Sequence, residues 1–418
     1  MRALVQGCRR LLSERGESNG MSVARELIER LDPLADEALD GFFDFLAGEL
    51  GPDPAQVLRL AEVYAARADA PALIALQGAV EPPRQELFRR LNRAPRGTAA
   101  VLRLRRALLR RLAQHPEWRA IEADLLHLLS SWFNPGFLRA ERVDWNSPAQ
   151  LLEKIILHEA VHTIDGWDDL RRRLQPDRRC FAFFHPQLAG EPLIFVEVAL
   201  LPEMPEQIGP LIDKLATPLA PEQFRVAAFY GISNCEAGLR HVSLGNFLIK
   251  EVAEQLRQEL PRLRTFCTLS PMPGFAAWLR ARPDPAALPG LGKAAAARLR
   301  DAQGLLEQAC GGDLEALQSP ALHDRLDAAA QEALLALAAA YLGHASVTPQ
   351  GDPVARFHLD NGARLERLNL RGNLSPAGLK QSFGIMVNYL YDLDRVETHH
   401  AKFRRGVVVR SRAVAALL

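Results

Sequence analysis

The chain has 418 residues, of which 48% are hydrophobic and 24% charged, a composition typical of a water-soluble globular protein with two or more domains. Its 51 Lys and Arg residues balance 50 Asp and Glu residues, so no overall charge favours binding to nucleic acid or to an acidic membrane. Five scattered cysteines form no CxxC pair, which favours a reducing compartment, predicted here as the cytoplasm. A disulfide between subunits is the alternative.

The first 134 residues predict helices throughout, because apolar side chains recur there at helical spacing between breaks rich in Pro and Gly. The arginine-rich segment 103–111 has two interpretations, a patch that binds nucleic acid or a solvated helix face. Its spacing among leucines favours the solvated face. We therefore predict an all-helical domain over residues 1–134, with a boundary at Asn134-Pro135-Gly136.

The texture of the sequence changes to strands from Cys180. Strands are predicted in CFAFFHP, in LIFVEVALL and over residues 225–232 and 264–269, with a helix from Phe247 that Pro261 ends. A helical insert covers about 284–345, and strands return in VARFHLDNGARLERLNL and GIMVNYLYDL, which puts His358 on a strand. The pattern predicts an α+β domain over residues 135–418.

A polar loop lies between the strand 225–232 and the helix that follows it. The start of a helix presents free backbone N–H groups and the positive end of the helix dipole, so this loop can hold phosphate. Ser270 leaves the next predicted strand with its hydroxyl at the strand end. This arrangement suits a substrate that carries phosphate and has its reactive end near Ser270.

His158-Glu159-Ala160-Val161-His162 matches HExxH, in which two histidines one helical turn apart bind zinc and the Glu activates water. The flanking sequence LLEKIILHEAVHTIDGW predicts a helix, so the required geometry is permitted. No third ligand follows at the spacing of known extended motifs. The alternative places these histidines at the surface or at a domain junction, and we predict no metal.

The segment from Leu288 to Leu299, LPGLGKAAAARL, is typical of a helix-hairpin-helix motif that meets the DNA backbone. A plain loop followed by a helix start explains the same residues. A single copy without a basic surface favours the plain loop, and we predict no nucleic-acid partner.

Several long blocks resemble one family in the same order. TLSPMPGF, GLRHVSLGNFLIKEV and FHLDNGA closely resemble segments of malonyl-CoA decarboxylases, as do SSWFNPGFLRAERVDWNSP, RRCFAFFHPQLAGEPLIFVEVAL and GIMVNYLYDL. The resemblance covers about residues 129–392 well and the N-terminal third more loosely. It implies a catalytic domain similar to GNAT acetyltransferases, a carboxy-lyase that converts malonyl-CoA to acetyl-CoA and CO2, and a homo-oligomer with the helical domain as contact surface.

The resemblance also implies the site residues. It places the CoA groove in the loop Arg240–Asn246, and the residues expected to bind the substrate are Arg240, His241, Val242, Ser243, Leu244, Gly245 and Asn246, together with Ser270 and His358. Only Gly245 remains of the glycines that the acetyltransferase pattern has in this loop. His241 and Ser243 stand where other members of the family commonly carry different residues.

Ser270 and His358 match the catalytic Ser and His of the family. The thioester carbonyl is itself an electron sink, so we expect no cofactor beyond the CoA of the substrate. We expect His358 to protonate the enolate, while Ser270 hydrogen-bonds the carboxylate or relays the proton. No Gly-x-Ser-x-Gly elbow surrounds Ser270, so it need not be a nucleophile. Tyr391 is expected to orient the carboxylate or the histidine, with a core or interface tyrosine as the alternative.

Two other functions remain open at this point. An acyl-CoA-dependent N-acyltransferase on the same fold would require an amine acceptor. A non-catalytic protein that senses CoA esters would bind malonyl-CoA and release no CO2.

Overall fold

The computed structural model describes residues 1–13, 17–242, 244–349 and 351–418. The chain divides into two compact units, the first formed by residues 1–139, 184–193 and 235–244, and the second by residues 140–183, 194–234 and 245–418. The first unit is therefore not one continuous segment, because two short segments from the middle of the sequence group with the N-terminal helices.

Helices build the first unit. In the described residues they are α1 (Arg2–Ser13), α2 (Glu17–Leu31), α3 (Asp36–Gly48), α4 (Pro54–Arg67), α5 (Ala70–Val80), α6 (Pro83–Arg93), α7 (Gly97–Leu109) and α8 (Arg119–Trp132). Asp53 and Asp69 cap α4 and α5 by accepting hydrogen bonds from Ala55 N and Ala72 N. Trp118 is fully buried against Phe43 and donates from Nε1 to Asp44 at 3.0 Å, so its polar atom is satisfied within an aromatic core.

The second unit is built on a seven-stranded mixed sheet with the order β1-β2-β3-β4-β5-β7-β6. The strands are β1 (Arg139–Val143), β2 (Arg178–Phe184), β3 (Pro192–Leu201), β4 (Val226–Asn234), β5 (Thr265–Thr268), β6 (Arg364–Asn369) and β7 (Met386–Leu390). β3 and β4 are antiparallel and β4 and β5 parallel, while β7 runs antiparallel to both β5 and β6. Most residues of β2, β3 and β4 are buried, which explains their nearly continuous apolar sequences.

The helices of the second unit follow in chain order. They are α9 (Ala149–His158), α10 (Gly166–Arg173), α11 (Gly209–Ile212), α12 (Gly245–Glu259), α13 (Phe275–Arg280), α14 (Lys293–Ala309), α15 (Pro320–His323), α16 (Ala328–His344), α17 (Pro353–Asp360), α18 (Pro376–Ser382), α19 (Val396–Arg404) and α20 (Arg412–Ala416). The predicted α+β class, with a helical N-terminal region before a mixed sheet, is confirmed.

Two local predictions are wrong. His358 lies on helix α17 and not on a strand, because Asp352 caps a helix whose first residue is Pro353. HExxH does not form one continuous helix, because α9 ends at His158 and Glu159 is extended, with φ −65° and ψ 111°.

In the segment from Leu288 to Leu299, the structure contains a loop followed by the start of α14. Gly290 has φ +69° in that loop, and Gly292 precedes the first residue of α14.

Candidate active site

A buried chain of hydrogen bonds joins three residues that are far apart in the sequence. Ser270 Oγ lies 3.1 Å from His358 Nε2, and the Tyr391 hydroxyl lies 2.8 Å from His358 Nδ1. Ser270 also donates to Thr268 Oγ1 at 2.9 Å. All four side chains are buried. Because Ser270 donates its hydroxyl proton to Thr268, it can only accept from His358, so we assign the imidazole proton to Nε2. Nδ1 then accepts from the Tyr391 hydroxyl. The hydrogen bonds of the chain therefore all run in one direction, from Tyr391 through His358 to Ser270.

Ser270 is held just beyond the end of β5. Its backbone N–H donates to Val387 O and its carbonyl accepts from Val387 N, both at 2.9 Å, in an isolated bridge to β7. The backbone that carries the Ser270 hydroxyl is therefore fixed to the sheet. Thr268 lies two residues earlier and projects to the same side, as the two-residue period of a strand requires.

Sequence reasoning missed Thr268 and Tyr389. The Tyr389 ring stacks on the His358 imidazole with centroids 4.7 Å apart, and its backbone N–H donates to Thr268 Oγ1 at 3.2 Å. A usable signal was present, because both residues alternate with predicted site residues along their strands, Thr268 with Ser270 and Tyr389 with Tyr391. Together they fix the imidazole plane and orient the Ser270 hydroxyl.

Asp352 fixes helix α17, which carries His358. Its Oδ1 accepts from the N–H groups of Val354 and Ala355, both at 3.0 Å. Its Oδ2 accepts from Gly274 N at 3.1 Å and from the Tyr341 hydroxyl at 3.2 Å. One buried carboxylate therefore ties the loop after Ser270 to the helix of His358.

A cavity of about 380 Å³ lies against Ser270 and His358. Its wall is mainly apolar, formed among others by Val161, Ile194, Phe229, Ile232, Pro271, Val354 and Phe357. Of the described residues that line it, none is Lys or Arg. A carboxylate held in this cavity would lose most of its water and meet no cationic side chain among them.

Burial also sets the protonation state of the imidazole. It lowers the pKa of His358 from its ordinary value of 6.5 to about 3, because the charged ring would have no water around it. Burial raises the pKa of Tyr391 well above 10. At neutral pH both groups are therefore uncharged, each with one proton to donate along the chain.

The HExxH segment forms part of the cavity wall. Glu159 Oε1 accepts from the N–H groups of Val161 and His162, both at 2.8 Å, and Oε2 accepts from Ser233 Oγ at 2.8 Å. Ser233 Oγ in turn accepts from Ala160 N at 3.1 Å. The carboxylate thus shapes the turn that brings Ala160 and Val161 to the cavity.

A buried cluster of ionisable side chains around Arg173 holds this turn in place. Arg173 donates to Glu197 at 3.1 Å, to Asp169 at 2.9 Å and to the carbonyl of His162 at 2.8 Å. Burial raises the pKa of Glu197 to about 8, although Arg173 opposes that shift. Burial likewise lowers the pKa of His162 to about 4, so this imidazole is neutral.

The predicted CoA loop is divided between the two units. Arg240, His241, Val242 and Leu244 belong to the first, while Gly245 and Asn246 begin α12 in the second, in which Ser270, His358 and Tyr391 lie. Ser243 lies outside the described residues. Contact of these residues with substrate stays a prediction.

Within the first unit, Arg105 holds the first residue of this loop and the residues just before it. Arg105 is fully buried and donates to the carbonyls of Gly238 and Arg240 at 2.5 and 2.7 Å, while Glu122 pairs with its guanidinium. His241 is exposed and has φ +68°, a left-handed conformation.

The described residues lack two kinds of feature. No three His, Cys, Asp or Glu side chains are grouped so that they could hold a metal ion. No described helix has both the length and the apolar character needed to cross a membrane.

The fold and the site define an α+β protein with an enzyme-type centre, a polar Ser–His–Tyr chain at an apolar cavity. Residues 136–418 match the family model for the malonyl-CoA decarboxylase C-terminal domain, and residues 50–133 match the model for the N-terminal domain of the same family. The chain belongs to the malonyl-CoA decarboxylase family. The predicted resemblance and the predicted class, a carboxy-lyase, are confirmed.

Curated relatives agree. The chain is 37% identical over 336 residues to the malonyl-CoA decarboxylase of Anser anser anser, described as mitochondrial, an alignment that covers 77% of this chain and 66% of the goose protein. It is 35% identical to the rat protein, with 76% and 67% covered. The alignments thus span about two thirds of the length of these relatives.

Solved structures match over nearly the whole chain. Malonyl-CoA decarboxylase from Rhodopseudomonas palustris is 46% identical with a TM-score of 0.86, and the one from Agrobacterium vitis is 44% identical with a TM-score of 0.85. Each comparison covers 99% of both chains.

Proposed function

We propose that this protein converts malonyl-CoA to acetyl-CoA and CO2, with His358 as proton donor and Ser270 as its hydrogen-bonding partner. The observation that carries the proposal is the Ser270–His358–Tyr391 chain at the edge of an apolar cavity. Malonyl-CoA has both groups that such a site would use, a carboxylate that is lost and a thioester that accepts electrons.

The apolar wall supports the first step. A carboxylate in this cavity is poorly solvated, whereas CO2 is neutral, so loss of CO2 relieves the unfavourable environment. The C–C bond breaks, and its electron pair passes to the thioester as an enolate. No group of the protein needs to form a covalent bond with the substrate, and we propose no resident cofactor.

The buried imidazole supports the second step. The α-carbon takes the proton of His358 Nε2, directly or through the Ser270 hydroxyl, and acetyl-CoA forms. One proton is consumed for each CO2 released, so the ring must be reloaded before the next turnover. We assign Tyr391 to orienting His358, on the basis of its 2.8 Å contact with Nδ1.

Purified protein assayed for acetyl-CoA and CO2 tests the proposal. We expect equal amounts of both products from malonyl-CoA, without added amine and after treatment with a chelator. Consumption of malonyl-CoA only with an amine acceptor would indicate an acyltransferase instead. Tight binding of malonyl-CoA with no CO2 would indicate a sensor.

We further propose a homo-oligomer that forms through the helical region. Leu58 and Ile74, on α4 and α5, are 62% and 67% exposed, and Val80 is 49% exposed. We expect a second copy of the chain to cover these exposed apolar side chains. Light scattering should give a mass above that of one chain, and Ile74→Asp should lower it; a monomeric wild type would contradict the proposal.

We also propose a cytoplasmic, reducing location. It is supported by the five cysteines of the sequence, which are scattered and form no CxxC pair. Fractionation of cells that express the full protein tests it, and recovery of the protein in another compartment would contradict it.

A further inference from the structure

A second cavity, of about 200 Å³, is lined by Tyr391. Its other lining residues include Lys250, Asp360, Asn361, Glu397 and His400. It has no lining residue in common with the cavity at Ser270 and His358. Tyr391 therefore belongs both to the hydrogen-bond chain of the site and to the wall of a separate polar cavity.

Two buried acceptors at this second cavity have no hydrogen-bond partner in the protein. They are Asp360 Oδ1 and Asn361 Oδ1, on the last residue of α17 and the residue after it. Buried oxygens without a partner are costly unless water donates to them, and 200 Å³ holds several water molecules. The cavity thus has the size and the polar groups of a water site.

The chemistry of His358 requires such a site. A buried, neutral imidazole can give up the proton on Nε2 only if Nδ1 takes one at the same time, because neither the anionic nor the cationic ring is solvated there. The partner of Nδ1 is the Tyr391 hydroxyl. During turnover, substrate occupies the first cavity, next to Ser270 and His358. A proton that comes through Tyr391 reaches the other ring nitrogen, Nδ1, and so does not have to pass the substrate.

We propose that the second cavity is the proton entry of this enzyme, in which water held by Asp360 and Asn361 protonates Tyr391 as Tyr391 protonates His358. This inference rests on the proposed function. As the enolate takes the proton of Nε2, Nδ1 takes that of Tyr391, and the tyrosine oxygen takes one from water. The net step moves one solvent proton to the α-carbon and leaves every group uncharged, with the proton of His358 now on Nδ1. After acetyl-CoA leaves, water in the first cavity returns a proton to Nε2 while Nδ1 passes its proton back through Tyr391, which restores the starting tautomer.

Two titratable side chains that line this cavity, those of Asp360 and His400, are partly exposed to solvent. His400 Nδ1 lies 3.5 Å from Asp360 Oδ1, and Arg404 lies 3.9 Å from the same oxygen. The side chains of Asp360 and His400 are 32% and 39% exposed. In this proposal, the carboxylate and the imidazole pass protons from bulk water to the water in the cavity.

Asp360→Asn and Tyr391→Phe test the inference in the full-length protein, with Asp301→Asn as matched control on an exposed position of α14. We expect kcat for acetyl-CoA formation to fall about tenfold in Asp360→Asn and about a hundredfold in Tyr391→Phe, with KM changed less than about twofold, since proton transfer contributes factors of this order. Asp301→Asn should keep the wild-type kcat. Imidazole buffer should restore part of the kcat of Asp360→Asn and leave the wild type unchanged.

The return of labelled CO2 to malonyl-CoA distinguishes proton delivery from a structural role, because a purely structural change would not alter it. If proton delivery is slow, the enolate survives longer and recaptures CO2, so the variants should return more label to malonyl-CoA per acetyl-CoA formed than the wild type. Asp360→Asn with wild-type kcat would overturn the inference, as would variants that imidazole does not rescue and that show unchanged label return. A wild type that forms no acetyl-CoA would instead overturn the proposed function.

Discussion

Ser270 Oγ and His358 Nε2 lie 3.1 Å apart although 88 residues separate them in the sequence. One is placed by the end of a strand and the other by a capped helix, so neither position depends on a long unanchored loop. Side chains fixed in this way lose little further freedom when substrate binds, which is the condition for a well-oriented reaction.

Thr268→Val tests the orientation of the Ser270 hydroxyl. The valine keeps the shape of the side chain but removes the oxygen that accepts from Ser270. We expect kcat to fall about tenfold while KM stays nearly constant, because the hydroxyl loses one of its two hydrogen-bond partners. Steady-state kinetics measures both, and an unchanged kcat would show that Thr268 has no part in orientation.

Asp352→Ala tests the link between the loop of Gly274 and helix α17. It removes an N-cap and leaves Gly274 N without its acceptor, so we expect a loss of about 2 kcal/mol in the free energy of unfolding together with a lower kcat. Asp352→Asn is the conservative control, since its amide oxygen still caps the helix. Urea denaturation measures the stability, and equal stability of the Ala and Asn variants would refute the capping argument.

Arg173→Ala tests the buried charge cluster under the cavity wall. Removal of the guanidinium leaves Asp169 buried without its cation and Glu197 without a hydrogen-bond donor, and loss of one partner of a buried ion pair costs about 3–5 kcal/mol. Arg171→Ala, at an exposed position of the same helix, is the control and should change stability by less than about 1 kcal/mol. Similar losses in both variants would contradict the importance of the cluster.

The pH dependence of stability tests the burial of His358. The unfolded chain protonates this imidazole near its ordinary pKa of 6.5, whereas the folded protein does so only at about 3. Unfolding between these values takes up a proton, so stability is lost as the pH falls below 6.5.

His358→Gln removes this linkage. Between pH 4 and 6 the slope of unfolding free energy against pH should decrease by about 1.4 kcal/mol per pH unit, the value for one proton. Denaturation curves at several pH values measure it. An identical slope in wild type and variant would mean that His358 titrates in the folded protein.

Much of the second unit follows from sequence patterns. Strands β2 to β5 have buried apolar or β-branched runs, and helix α12 shows clear helical spacing before Pro261. These elements lie near the positions predicted for them, because burial of one or both faces leaves a periodic record in the sequence.

The position of His358 was harder to predict. Val354, Phe357 and the following residues favour a strand by propensity, yet Asp352-Pro353 is a helix-start signature that outweighs it. Gly362 then turns the chain with φ +76°, where a Cβ would meet the carbonyl oxygen of Val396 at 2.1 Å. The sequence thus contained the helix-start signature, but the strand propensity of the residues after it led to the wrong prediction.

The helical prediction for HExxH failed for a different reason. Helical spacing continues through His162, but the Glu159 carboxylate bonds to the backbone N–H groups that follow it, which offers the chain a turn in place of the next helical turn. Contacts that no local pattern records, with Ser233 and Arg173, then hold that turn. Such tertiary contacts cannot be read from spacing.

We propose that the Ser270–His358 pair protonates the enolate and so completes the conversion of malonyl-CoA to acetyl-CoA. The most direct measurement is acetyl-CoA formation from malonyl-CoA by chelator-treated wild type, Ser270→Ala and His358→Asn, each first shown to be folded. We expect turnover by the wild type and a kcat about a hundredfold lower or more in both variants. Wild-type rates in either variant, with the fold intact, would contradict it.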